Sequence, residues 1–289
     1  MTRTADLLAA ETAMGAVTLH VGDLGAMSAY YREAIALEEL PGLGGPDRVV
    51  LGRGGQAVVV LRHTPGLPAT ARNQAGLFHT AVLFDTEEAL AAAVAHAAQH
   101  PLSRFAGNSD HWVSRAFYFT DPEDNGIELY WDRPRDAWQR EGGRVAMGSD
   151  WFDPQEFLRR HLTEDALAGT VAQAAQVGHV HLQVGDVPTA QKFYVDTLGF
   201  EIMATFHGAL FVAAGGYHHH MAMNTWNSAG AGPRAATLGL GQVALTVPAR
   251  DEVGALADRL RHAGVEARDD GRTLRFEDPW RTLVEVSVA

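Results

Sequence analysis

Among 289 residues there is no cysteine. That excludes disulfides, thiolate nucleophiles and thiolate ligands, so any metal must be held by His, Asp, Glu or amide oxygens. Positive charge is scarce as well: 23 Lys and Arg stand against 35 Asp and Glu, a net charge of -12. Such a chain repels nucleic acid and anionic membrane surfaces and favours small-molecule partners. No stretch approaches the length of a membrane span, and the opening "MTRTADLLAAETAMGAV" lacks a long apolar signal core, so the expected residence is cytoplasmic. Self-association into a homo-oligomer is left open. What the chain does have is 46% hydrophobic side chains, enough for one large domain or two ordinary ones, and 14 histidines. Three of them, His218, His219 and His220, are consecutive in "GYHHHMAMNTW", too deep in the chain to be a terminal tag.

Self-similarity organises the rest. "GAVTLHVGDLGAMSAYYREAIAL" at 15 and "VGHVHLQVGDVPTAQKFYVDTLGF" at 177 share one pattern: an alternating strand, a Gly-Asp able to cap a helix, then apolar residues at helical spacing. Weaker copies are "GLFHTAVLFDTEEALAAAVAHAAQH" at 76 and "LGQVALTVPARDEVGALADRLRHAG" at 240. Strand-like runs follow each helix, such as "QAVVVLRH", "SRAFYFTD", "GIELYWD", "ALFVAAGG", "HHHMAMNTW" and "TLVEVSV". The expected class is α+β, with four βαβββ modules at 14–63, 76–132, 177–227 and 240–289, two in each half of the chain, 14–132 and 177–289. Residues 133–176 read as a partly helical connector in which "DPQEFLRRHLTEDAL" forms one amphipathic helix.

Four such units resemble the vicinal oxygen chelate superfamily of glyoxalases, bleomycin-resistance proteins and extradiol dioxygenases. The resemblance implies two cupped, half-barrel mixed sheets with helices outside, each from two modules, and metal ligands on the first and last strands facing the cup. Fold alone does not fix function, since some members catalyse and others only bind.

Under this resemblance the first-strand position falls at Ala16, His79, His179 and Gln242, and the last-strand position at Glu128 and Glu285, each six residues past the proline of an Asp-Pro pair. Two neutral imidazoles and one carboxylate make a facial set that holds Fe(II) and leaves positions open; Mn(II) is accepted by the same set. If modules two and three pair, they supply His79, His179 and Glu128. If modules three and four pair, they supply His179, Gln242 and Glu285, with a single imidazole. The inner pairing is preferred for its fuller ligand set.

"SDHWVSRAFYFTDPEDNGIELYWDRP" and "GGYHHHMAMNTW" are similar to segments of the Bacillus-type catechol 2,3-dioxygenase family. The resemblance implies metal ligands His79, His179 and Glu128, an acid–base histidine at His219, a substrate-bonding Tyr118 and a supporting His111. One departure is module order: here the glutamate-bearing module comes before its partner. In a strand, His219 would face the cup and His218 and His220 the other side, packed on helices or the connector. His111 falls in a predicted loop, His181 reads as a wall residue, and Glu285 as an ion-paired or hydrogen-bonded residue. His20, His63, His96, His100, His161, His207 and His262 share no spacing and are assigned to surfaces and element ends, while Phe193 and Tyr194 are assigned to the core. The implied activity is extradiol cleavage of a catechol-type diol with O2. The alternatives are a glyoxalase-like metal-dependent isomerase and a non-catalytic drug- or metabolite-binding protein of the bleomycin-resistance type.

Overall fold

A computed structural model describes residues 7–71, 73–142, 144–169 and 174–289. The first six residues of the N-terminal stretch and residues 170–173 of the connector lie outside them. The chain opens with a short strand β1 (Ala13–Met14), then module one: β2 (Val17–Val21), α1 (Leu24–Glu33), β3 (Glu38–Glu39), β4 (Arg48–Arg53) and β5 (Gln56–His63). Module two is β6 (Gly76–Phe84), α2 (Glu87–Gln99), β7 (Arg104–Asp110), β8 (Ser114–Thr120) and β9 (Gly126–Asp132). The connector holds the hairpin β10 (Arg140–Glu141) and β11 (Arg144–Val145), then α3 (Pro154–His161) and α4 (Glu164–Leu167). Module three is β12 (Ala175–Gln183), α5 (Val187–Gln191) running on in wider turns to Thr197, β13 (Glu201–Phe206), β14 (Ala209–Ala213) and β15 (Met221–Asn224). Module four is β16 (Gly239–Val247), α6 (Arg250–His262), β17 (Ala267–Asp269), β18 (Thr273–Glu277) and β19 (Leu283–Val288).

Local chemistry explains these units. β2 buries Val17, Leu19 and Val21 and turns the residues between them toward the surface, the alternation of a half-covered strand. The Gly-Asp pairs end in helix caps: Asp23 accepts from Ala26 N at 2.9 Å and Asp186 from Thr189 N at 2.8 Å. α2 is alanine-rich and buried on most of its circumference, because the sheet lies on one side and the connector helices on the other. The connector helix expected as one piece is two. Thr163 accepts from Ala166 N at 3.2 Å and starts a second helix there, an N-cap that competes with helix continuation.

Modules two and three form the inner cup. Its strand order is β13–β14–β15–β12–β6–β9–β8–β7, closed at the centre by the antiparallel seam of β6 and β12. Modules one and four form the outer cup in the order β3–β4–β5–β2–β16–β19–β18–β17, with β1 also on β16. One pair, Ala175 and Arg53, joins the cups into a continuous ladder. Helix tyrosines tie the modules the other way. The Tyr31 hydroxyl donates to Asp121 of module two at 3.0 Å, and Tyr194 donates to Asp278 of module four at 2.9 Å. Sheets therefore link modules two with three and one with four, while Tyr–Asp bonds link one with two and three with four. Burial pushes Asp121 up to about 6 and Asp278 upward, against the backbone amides that each also accepts. Phe193 and Tyr194 are buried as expected.

Candidate metal centre

The seam of the inner cup sets the site. His181 stands opposite His79, and His179 opposite Ala81. On the other flank of β6, Glu128 stands beside Ala81, and Tyr118 stands opposite Glu128. Directly paired residues and alternate residues share a face, so His79, His179, His181, Glu128 and Tyr118 all belong to one. Ala81 is the floor between Glu128 and His179, and its small side chain leaves them room to meet. His79 Nε2 is 2.9 Å and His179 Nε2 3.2 Å from the same Glu128 Oε2. One ligand atom from each of the three lies within 4.8 Å of the others, and all three side chains are buried. Gly178 lets Tyr130 press on the backbone just before His179, since a Cβ there would lie 1.7 Å from the tyrosine hydroxyl.

Burial acts to raise Glu128, but the imidazoles of His179 and then His79 overcome it and hold the carboxyl well below its usual range. Burial lowers His179 to about 4 despite the carboxylate beside it. An anionic carboxylate and a neutral imidazole are the states a cation requires. His79 Nε2 is close to Glu128 but off the direction of a hydrogen bond, and it has no aligned partner among the described residues. A buried imidazole nitrogen without an aligned partner, 2.9 Å from a buried anion, fits a divalent cation better than it fits the closed hydrogen-bond network expected of a purely structural cluster. His179, His218 and His219 form a second close group. In that group both His218 nitrogens are already engaged, and there is no carboxylate to balance charge.

A cavity of about 700 Å³ opens over this face, lined among others by His79, Glu128, His111, Tyr118, His181 and His219. The histidine run does not lie in a strand as expected: β15 begins only at Met221. Alternation therefore does not orient the three rings; hydrogen bonds and stacking do. The Nε2–H of His218 donates to Asp132 at 2.9 Å, and its Nδ1 lies 2.7 Å from His219 Nδ1. With Asp132 accepting, His218 Nδ1 accepts from His219, and the lone pair of His219 falls on Nε2. The His219 ring sits 4.0 Å from that of His179, and burial holds it well below the usual imidazole range. His218 packs on the connector's Trp138 at 5.4 Å, and His220 Nδ1 accepts from Ala214 N at 3.2 Å.

His111 also differs from expectation. "GNSD" completes β7, and His111 follows it at the tip of the β7–β8 hairpin, half-buried. Its Nδ1 donates to Gly148 O at 2.8 Å and its Nε2 accepts from Tyr118 at 2.7 Å. Burial, then the nearby Glu128, keeps the Tyr118 hydroxyl protonated well above its usual range. Gly148 belongs to the connector, and its missing side chain is required: a Cβ would lie 2.2 Å from the Trp112 ring. Trp112 holds a positive φ of 69° at the hairpin tip, braced by its indole bond to Asp150 at 2.8 Å. Met147, Gly148 and Ser149 thus wall the cavity, a contribution with no periodic signal in the sequence. Asp132 was missed too, although it closes "GIELYWD" and pairs with the histidine run. His181 lines the cavity, with Nε2 at 2.9 Å from the Asn224 amide.

The outer cup offers no equivalent cluster among the described residues. Gln242 pairs with Thr18 and sits in the outer cup, away from His179, so the sequential set is split between the two cups. Glu285 is an ion pair with Arg275 at 2.7 Å. His20 lies within β2 rather than at an element end.

A family model described as "Glyoxalase/Bleomycin resistance protein/Dioxygenase superfamily" matches residues 13–129 and 176–286. The chain is 35% identical over 231 residues to a catechol-2,3-dioxygenase of Bacillus subtilis (strain 168), covering 78% of this chain and 80% of that one. Its fold is like that of glyoxalase I from Zea mays (TM-score 0.58, 17% identity, 96% of this chain and 92% of that one). It is likewise similar to the cppA protein of Streptococcus pneumoniae TIGR4 (TM-score 0.58, 12% identity, 96% and 98%).

Proposed function

The chain belongs to the glyoxalase/bleomycin resistance protein/dioxygenase superfamily, and from that premise we propose that it is a cytoplasmic extradiol dioxygenase opening a catechol-type ring with O2. His79, His179 and Glu128 would hold the divalent ion, Fe(II) or alternatively Mn(II). What carries this reading is the convergence of two imidazole Nε2 atoms on one Glu128 oxygen beneath a cavity that also presents His219, Tyr118 and His111. When bound, the ion contributes a Lewis-acidic centre with open positions for a vicinal diol and dioxygen.

The protein's own groups manage protons and position. His219 is neutral and buried, and Asp132 through His218 fixes its tautomer, so Nε2 takes a proton from the entering diol and returns it as the ring opens. Tyr118 stays protonated and, with its own O–H donating to His111, accepts a hydrogen bond from a substrate hydroxyl. His111, pinned between Tyr118 and the Gly148 carbonyl, steadies that hydroxyl. The bond between a diol carbon and its neighbour that bears no hydroxyl breaks, both atoms of O2 enter the product, and a hydroxymuconic semialdehyde results.

The test is anaerobic Fe(II) reconstitution followed by oxygen uptake and appearance of a yellow product on simple catechols, with metal content read in parallel. One ion per chain with oxygen uptake is expected. A chain that binds no ion, or binds one without consuming oxygen on any catechol, refutes the proposal.

A further inference from the structure

The cavity is not symmetric around the proposed centre. On one side an aromatic strip begins at the rings nearest the ligands and runs to the surface. Phe211 meets His219 edge-on at 5.0 Å, and Phe206 meets Phe211 at 5.4 Å. Trp226 lies 5.5 Å from His181 and 5.4 Å from Phe78. The strip ends in the open: Phe206 is 47% exposed and Trp226 52%. Trp226 is nevertheless held in place, by its indole bond to His207 O at 3.1 Å and its backbone bond to Asn224 at 3.2 Å. Large rings fixed at a cavity mouth and left wet mark a surface that something covers.

The opposite wall is polar but already satisfied. Asn108 donates to Phe152 O at 2.7 Å, and Ser109 and Ser149 bond each other at 2.9 Å. Among the described lining residues there is no Lys or Arg, and Glu128 is the one carboxylate. A substituent carrying a carboxylate would be buried there without a cation, which is costly. The volume, about 700 Å³, also falls in the range that encloses ligands larger than a single bare ring.

We infer that the diol taken here carries an uncharged aryl substituent that lies on the strip formed by Phe211, Phe206, Trp226 and Phe78. The inference rests on the dioxygenase reading above. The test compares kcat/KM of the Fe(II)-loaded enzyme for 3-phenylcatechol, catechol and 3,4-dihydroxybenzoate. The aryl diol is expected to exceed catechol by about tenfold or more, with the carboxylated diol below both. Phe206→Ala and Trp226→Ala each lower the phenylcatechol-to-catechol ratio, by about tenfold together. A second arm needs neither metal nor turnover: 2-hydroxybiphenyl and phenol are titrated into the metal-free protein, read by tryptophan fluorescence. Binding of the biphenyl about tenfold tighter, weakened by Phe206→Ala, is expected. Equal kcat/KM across the three diols, preference for the carboxylated one, or equal binding of the two phenols overturns the inference. No turnover of any diol overturns the dioxygenase reading instead, and the binding arm then decides the strip by itself.

Discussion

At matching positions the inner cup carries His79, His179 and Glu128, and the outer cup Gln242, Ala16 and Glu285. The register makes the match physical. Glu128 stands beside Ala81, two residues past His79, and Glu285 stands beside Ala244, two residues past Gln242. His181 faces His79 across the inner seam, as Thr18 faces Gln242 across the outer one. Both cups keep alanine on the floor. The backbone is therefore indifferent to whether this face holds donors, since strand pairing and burial of the opposite face suffice to build it. What distinguishes the cups is where the buried charge goes. In the outer cup Glu285 is neutralised by Arg275 near the surface, while in the inner cup Glu128 has imidazoles and the Tyr118 hydroxyl beside it and no ion pair with a Lys or Arg among the described residues.

The contrast can be broken. His79→Ala is expected to abolish metal retention and lower oxygen uptake on the order of 10³-fold, whereas Gln242→Ala changes either by less than about twofold, both read by metal analysis and an oxygen electrode. Equal losses would erase the distinction between the cups. His219→Gln should keep the ion yet lower kcat by about 10² or more, because the proposed mechanism then loses its proton acceptor while the proposed ligands stay. Asp132→Asn should lower kcat by about tenfold at unchanged metal content, as the tautomer of His219 is no longer imposed through His218. A drop in metal content would reassign Asp132 to supporting the ligands.

Two smaller effects probe what the cups share. Tyr31→Phe and Tyr194→Phe should each cost about 1 kcal/mol in urea unfolding, and by similar amounts, because each removes one donor to a buried carboxyl. Asp121 sits at about 6 when folded and 3.8 unfolded, so the folded state binds more protons in that window. Its contribution is present below about pH 4 and lost as pH rises through about 6. Relative to Asp121→Asn, the wild-type protein should therefore lose stability between pH 4 and 6, as urea titrations at several pH values would show.

Much of this was legible beforehand. Alternation, Gly-Asp caps and internal repeats exposed four modules, and the family pattern placed His79, His179 and Glu128 on strands that do come together. Other features left no trace a periodic reading could find. The break at Thr163 depends on a side-chain cap winning over an amphipathic pattern. The histidine run lies before β15, held by Asp132, which is distant in the chain. Gly148 reaches His111 only because the connector folds back under Trp112. In the last two cases a long-range contact, rather than a periodic one, decides the structure.

The seam of β6 and β12 has a consequence for biosynthesis. Its two strands come from opposite halves of the chain, so a ribosome finishes both His79 and Glu128 long before His179 exists. The nascent first half can close its Tyr31–Asp121 bond, but the edge of β6 waits bare for a partner. Metal loading at the proposed centre would have to follow translation of the third module, and a protein cut in the connector would recover that centre only if the two fragments reassemble.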